Sequence, residues 1–102
     1  MKYEKIIKRE DGSRVRITIS LRIEWNMDET CWDFMAHHCA KNKRTWTTPV
    51  NHDDYQWRKM DAADRKAEDR RRCLTLVSPD EVYEAMLELW EQAMPRKEDL
   101  FE

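Results

Sequence analysis

From Arg14 to Asn26 the chain alternates apolar and polar side chains almost without a slip. Val15, Ile17, Ile19, Leu21, Ile23 and Trp25 form one set, and Arg14, Arg16, Thr18, Ser20, Arg22 and Glu24 form the other. Period two over this length, rich in β-branched residues, predicts a strand with one buried face. The "EDGS" that precedes it reads as a hairpin turn, and burial decides its register. A two-residue Asp11-Gly12 loop would pair Ile6 with Ile17 and leave Tyr3 and Ile7 on the wet face. A three-residue loop ending on a left-handed Gly12 pairs Ile7 with Val15 and Tyr3 with Ile19. The second register buries two large side chains instead of one and is the one expected.

"NMDET" then turns the chain into residues 31–40, and "KNKR" turns it again into "TWTTPV", where Trp46, Thr48 and Val50 share a face. Pro49 confines that last piece to a strand end or a sheet edge. The second half changes period. Asp61 followed by Asp64 marks a helix start, and the helix runs to about Arg72 with Met60, Ala63 and Ala67 as a thin apolar side. Residues 73–77 read as a short strand or an extended linker. "SPDE" at 78–81 is a capping box with proline in the first helical position. Beyond it Val82, Met86, Leu89, Trp90 and Ala93 recur at helical spacing, widened by Tyr83 and Leu87, until Pro95 ends the helix. The expected fold is α+β: a four-stranded antiparallel meander with two C-terminal helices packed on one face, in two layers. A single domain over 1–94 is followed by a charged tail, 95–102.

A chain of 102 residues holds one core. Its 19 basic and 21 acidic side chains are interspersed and leave a net charge of −2, which gives no reason to expect strong non-specific binding to nucleic acid or an anionic membrane. No apolar run approaches the roughly 18 residues of a membrane span. The first residues lack the apolar core and cleavage site of a signal peptide. Cys31, Cys39 and Cys73 are an odd set, best read as reduced thiols in a cytoplasm. The one glycine, Gly12, excludes the glycine-rich loops that cradle phosphates and dinucleotides. With no catalytic signature either, neither an enzyme nor a bound cofactor is expected.

The densest chemistry lies in "CWDFMAHHCA". As a strand it puts Trp32, Phe34, Ala36, His38 and Ala40 on one face and Cys31, Asp33, Met35, His37 and Cys39 on the other. Cys31 and Cys39 are then about 26 Å apart, too far to share an ion. His37 and Cys39 are neighbours, and zinc would need two further ligands from His52, Asp53, Asp54 or Cys73. A Cys39 thiolate paired with His37 or His52 is a second chemical reading, without a recognisable oxyanion hole. The plain alternative has Trp32 and Phe34 filling the core with His37 and Cys39 on the outer face.

"NHDDYQWR" gathers the candidate partner-binding residues Asp53, Asp54, Tyr55, Trp57 and Arg58 beside His52. Exposed aromatics with charge suit an interface; equally, Trp57 can plug the seam between sheet and helices. A nucleic-acid face would use Lys8, Arg14, Arg16 and Arg22, with Lys41, Lys43 and Arg44 in a loop. Against it, Trp25 belongs to the apolar face, Glu4, Glu10 and Glu24 interrupt the patch, and Glu68 and Asp69 answer the arginines at 70–72. The tail "EDLF" resembles the end of the pentapeptide by which bacterial replication proteins dock on the sliding clamp. Asp99, Leu100 and Phe101 match that pattern and Lys97 and Glu98 do not; otherwise Leu100 and Phe101 fold back on the domain. Open strand edges leave room for a homodimer.

"KYEKIIKREDGSRVRITISL", "NHDDYQWR" and "EVYEAMLELWEQ" together resemble small proteins carried by bacterial phages and mobile elements. The resemblance is one of style over most of the chain and brings no catalytic residue with it. It implies a non-enzymatic protein that binds and blocks a host protein, an inhibitor of a defence or regulatory complex of the anti-CRISPR kind.

Overall fold

The computed structural model describes residues 2–24 and 29–93, with side chains described for 2–21 and 32–92. Three strands, β1 (Lys2–Lys8), β2 (Arg14–Glu24) and β3 (Glu29–Cys39), are followed by α1 (Tyr55–Lys59), α2 (Ala62–Cys73) and α3 (Pro79–Ala93). The sheet is antiparallel in the order β1-β2-β3.

The hairpin takes the register that buries more. Tyr3 pairs with Ile19 and Ile7 with Val15. Arg9 N–H donates to the Ser13 carbonyl at 2.9 Å and Gly12 N–H to the Arg9 carbonyl at 3.1 Å, which leaves a three-residue loop. Gly12 has φ of 90°, a conformation that glycine adopts without a Cβ penalty.

The expected fourth strand does not form. Residues 45–50 contribute one isolated bridge, in which His38 and Thr47 exchange both backbone hydrogen bonds at 2.7 and 2.9 Å. In that register the next two-bond pair would join Ala36 to Pro49, and proline has no N–H to give. On the other side the Ala40 carbonyl already accepts from Lys43 N–H in the turn through Asn42, whose φ is 65°. The ladder is therefore stopped at both ends. Trp46, Thr48 and Val50 do not share a face as a strand would require: Val50 packs against the core, whereas Trp46 lies against arginines of the opposite sheet face.

The core joins Val15, Ile17, Ile19 and Ala36 of the sheet to Val82, Ala85 and Leu89 of α3, with Cys73 and Val77 at the α2–α3 turn. Trp32 and Phe34 pack against it, as the strand reading required. Helices thus cover one face only, and the class is α+β in two layers. The capping box is present: Glu81 N–H donates to Ser78 Oγ at 3.2 Å, and Ser78 N–H donates to Glu81 Oε1 at 2.9 Å. Asp61 caps α2 by accepting from Asp64 N–H at 2.8 Å.

Four details differ from the sequence expectation, the first being a short helix, α1, ahead of the two expected. Residues 73–77 form successive turns, with Leu74, Thr75 and Leu76 N–H groups closing back on Arg70, Arg72 and Cys73 carbonyls. Ala63 and Ala67 are exposed, and the side of α2 that turns inward carries Arg65, Glu68, Asp69, Arg72 and Cys73. That helical stripe is polar because it docks through hydrogen bonds and ion pairs, and Cys73 is its one buried residue. Finally, α3 turns Val82, Ala85 and Leu89 inward and leaves Tyr83, Leu87 and Trp90 in solvent. Trp25 and the tail 95–102, including its "EDLF" end and Pro95, lie outside the described residues.

Polar contacts lock α3 to the hairpin. Arg9 makes a two-pronged bond to Glu81 at 2.7 and 2.8 Å and reaches the Leu76 carbonyl at 3.0 Å. Glu88 accepts from Lys5 at 2.7 Å and from the Tyr3 hydroxyl at 2.5 Å, and these donors hold its carboxyl below the usual range. Between Trp32 and His38 the open edge of β3 is partly covered. Arg70 donates to the Trp32 carbonyl, the Asp33 carboxylate takes Phe34 N–H, the Cys73 sulfur takes Ala36 N–H, and Thr47 occupies His38.

Candidate functional site

The 51–58 segment is a folded joint. Asp54 caps α1 by accepting from Gln56 N–H at 2.9 Å, and Arg72 donates to its other oxygen at 2.8 Å, holding the carboxyl below its ordinary range. Trp57 stacks on His52 at 4.1 Å between ring centroids, and the Arg65 guanidinium lies 4.8 Å from the indole centroid. The indole N–H donates to Asp69 at 2.9 Å, and the same carboxylate bonds His52 Nε2 at 3.2 Å. Trp57, the central aromatic of the expected interface, therefore ties α1 to α2. Asp53 and Arg58 form an exposed pair at 3.1 Å, and Tyr55 stands 66% exposed under Lys59. Of the five residues expected to bind a partner, Tyr55, Asp53 and Arg58 face solvent, while Asp54 and Trp57 belong mainly to the fold.

His37 and Cys39 are neighbours on the outer sheet face, opposite Arg16 and Arg14 of β2. Cys39 is wholly buried; its thiol donates to the Lys43 carbonyl at 3.0 Å. A buried thiol held by a carbonyl presents no nucleophile. Burial, and then the Arg16 charge, push the His37 pKa below its ordinary value. Its Nδ1 and the Arg16 Nε across the strand are buried without a hydrogen-bond partner among the described residues. His52 belongs to the Trp57 joint instead. Among the described residues no group of three His, Cys, Asp or Glu side chains converges in a way that could hold a metal ion. Nor is any helix among them long and apolar enough to cross a membrane.

The nucleic-acid candidates Arg14 and Arg16 do share the outer face, with Lys8 exposed beside them on β1. The backbone of Arg22 lies in β2 further along, and its side chain is outside the described set. Sequence reasoning missed the aromatic that joins them. Trp46 places its ring 4.7 Å from the Arg16 guanidinium carbon and 5.4 Å from that of Arg14. The signal was present in "KNKRTW", a basic run closing on an aromatic, but a strand assignment concealed it.

A second missed feature is the solvent side of α3. Tyr83, Leu87 and Trp90 recur at i, i+4 and i+7 and are 61%, 43% and 43% exposed. Trp90 meets Trp32 at 6.1 Å between centroids, beside a shallow cavity of about 280 Å³ lined by Trp32, Phe34, Arg70, Val82 and Met86. The clue was arithmetic: α3 has more apolar positions than one core-facing stripe can hold. Asp80, Glu81, Glu84, Glu88 and Glu91 share this helix with no basic residue among them. Glu81 and Glu88 are paired to the hairpin; Glu84 is exposed and lies 3.8 Å from Lys5, and Asp80 and Glu91 are exposed.

Comparison with protein-family models, with curated proteins and with solved structures returned no match, and the geometry alone supports a functional reading.

Proposed function

We propose that the protein is a non-enzymatic interaction module that binds another protein through the solvent side of α3. The observation that carries this reading is the Tyr83, Leu87 and Trp90 strip, continued by Trp32. Large aromatics left in solvent on one rigid helix face are the side chains that dominate binding energy at protein interfaces. The acidic residues around the strip favour a partner with an apolar centre and a basic rim, and disfavour a second copy of α3. With the resemblance to small phage and mobile-element proteins, this supports the narrower reading of a protein that blocks a host complex.

The test is capture from bacterial lysate under nuclease treatment by the wild-type chain and two variants. Leu87→Glu with Trp90→Ala should abolish a stoichiometric protein partner, whereas Tyr55→Ala should retain it. A photo-crosslinking residue at position 83 should then form a covalent adduct with the same partner. Equal capture by the α3 variant, or capture that disappears with nuclease, would overturn the assignment.

A further inference from the structure

We propose that the outer face of the sheet, opposite the helices, binds single-stranded nucleic acid with Trp46 as its stacking platform. The argument starts from charge placement. Lys5, Arg9, Arg58, Arg70, Arg71 and Arg72 each sit within an ion pair. Ten described cations make none among the described residues: Lys2, Lys59, Arg65 and Lys66 are scattered over the start of β1, α1 and α2, whereas Lys8, Arg14, Arg16, Lys41, Lys43 and Arg44 belong to the hairpin end of β1 and β2 and the loop beside it. Arg14 and Arg16 project from β2, and Lys8 pairs with Arg14 across the hairpin. The 40–46 loop folds against the same end: the Lys41 stem lies against Gly12, and Arg14 reaches the Lys43 carbonyl at 3.4 Å. A net charge of −2 thus conceals a local excess of basic residues at the hairpin end of the outer sheet face.

Trp46 gives this patch its chemistry. Two guanidinium groups hold the indole by cation–π attraction, so the ring is positioned in advance and still partly open to solvent. An unstacked base can lie on such a ring while its flanking phosphates meet Lys43, Arg44 and Lys8. Paired bases in a duplex are already stacked and cannot use it. Three strands at about 4.8 Å spacing make a platform about 10 Å across, wide enough for one strand and without a helix to enter a groove. The nearby acids are few: Asp11 is bonded to Ser13, Asp33 lies toward Arg70 at the other end, Glu10 is in the turn, and Glu4 shares the outer face and acts on His37 beside Arg16.

The experiment is fluorescence anisotropy with the full chain and labelled oligothymidylate or oligouridylate of about fifteen nucleotides, a duplex of equal length, and polyglutamate as competitor. Single strands should bind, with a log–log salt slope of about −3 if four phosphates are engaged. Trp46→Ala should weaken binding about tenfold or more with little change in that slope, and Trp46→Phe should recover part of the loss. Lys43→Glu with Arg44→Glu, which changes only loop side chains, should flatten the slope. No binding at about 100 µM protein in low salt would overturn the proposal. So would duplex bound as tightly as single strand. Polyglutamate competing charge for charge, with Trp46→Ala neutral, would mark the face as a site for acidic protein and equally overturn it.

Discussion

Glu81→Gln tests whether the Arg9–Glu81 contact is the main polar bond between sheet and helix. Glutamine keeps an acceptor for the Ser78 N–H, so the capping box survives while the charge is lost. The two-pronged Arg9 bond, helped by the Ser78 amide, holds the Glu81 pKa at about 2 against an ordinary 4.5. At about 1.4 kcal/mol per unit that sets a ceiling near 3 kcal/mol. Arg9 and Glu81 side chains are 32% and 23% exposed, and solvent screening with the retained cap reduces the expected loss to about 1–2 kcal/mol. The assay is urea unfolding followed by tryptophan fluorescence at a series of pH values. Above pH 5 the carboxyl is ionised in both states and the full difference between wild type and variant should appear. Between pH 4.5 and about 2 the unfolded chain takes up the proton first, so the wild type loses its advantage and the two curves converge. Arg9→Ala should cost more, because the Leu76 carbonyl also loses its donor. Equal stability at pH 7, or a difference unchanged down to about pH 2.5, would refute the reasoning.

Three other outcomes follow from the same structure. Leu89→Ala, at a position 1% exposed, should lose about 2–5 kcal/mol in urea unfolding, whereas Leu87→Ala one turn-face away should change stability by no more than about 0.5 kcal/mol. Gly12→Ala should cost about 1 kcal/mol or more, since φ of 90° strains any side chain and the new Cβ meets Lys41 at 2.8 Å; a neutral result would contradict the turn geometry. His37 has its pKa lowered in the folded state, so the unfolded chain binds its proton first and stability should fall as pH drops through 6.5. His37→Leu should remove that part of the slope, read by thermal unfolding between pH 7.5 and 5; an identical slope would place the titration elsewhere.

Legibility followed range. The hairpin register could be read because turn chemistry and side-chain burial within twenty residues favour one pairing. Ser78, Pro79 and Glu81 could be read because a capping box is closed by its own neighbours. The missing fourth strand could not, since Pro49 blocks it only in the register set by His38 and Thr47, which depends on where the 40–46 loop lands. Likewise α3 displays an apolar arc without saying which part the sheet will cover; in the structure Val82, Ala85 and Leu89 turn inward and Trp90 out, a rotation that also brings Glu81 and Glu88 to Arg9 and Lys5. The site suffered the same limit. Arg14 and Arg16 were identifiable from alternation alone, but Trp46 reaches them by tertiary folding. Trp57 stands out in the sequence, but its hydrogen bond to Asp69, twelve residues on, depends on how α1 meets α2.

The partly covered edge of β3 also bears on assembly. A sheet with two open edges can add copies indefinitely and grow a fibril. Here Arg70, Asp33, Cys73 and Thr47 occupy five backbone groups between Trp32 and His38, so β1 is the more open edge for pairing. Two molecules joined β1 to β1 about a two-fold axis would form a six-stranded sheet with a partly covered strand at each end. Such an arrangement disfavours growth beyond the dimer.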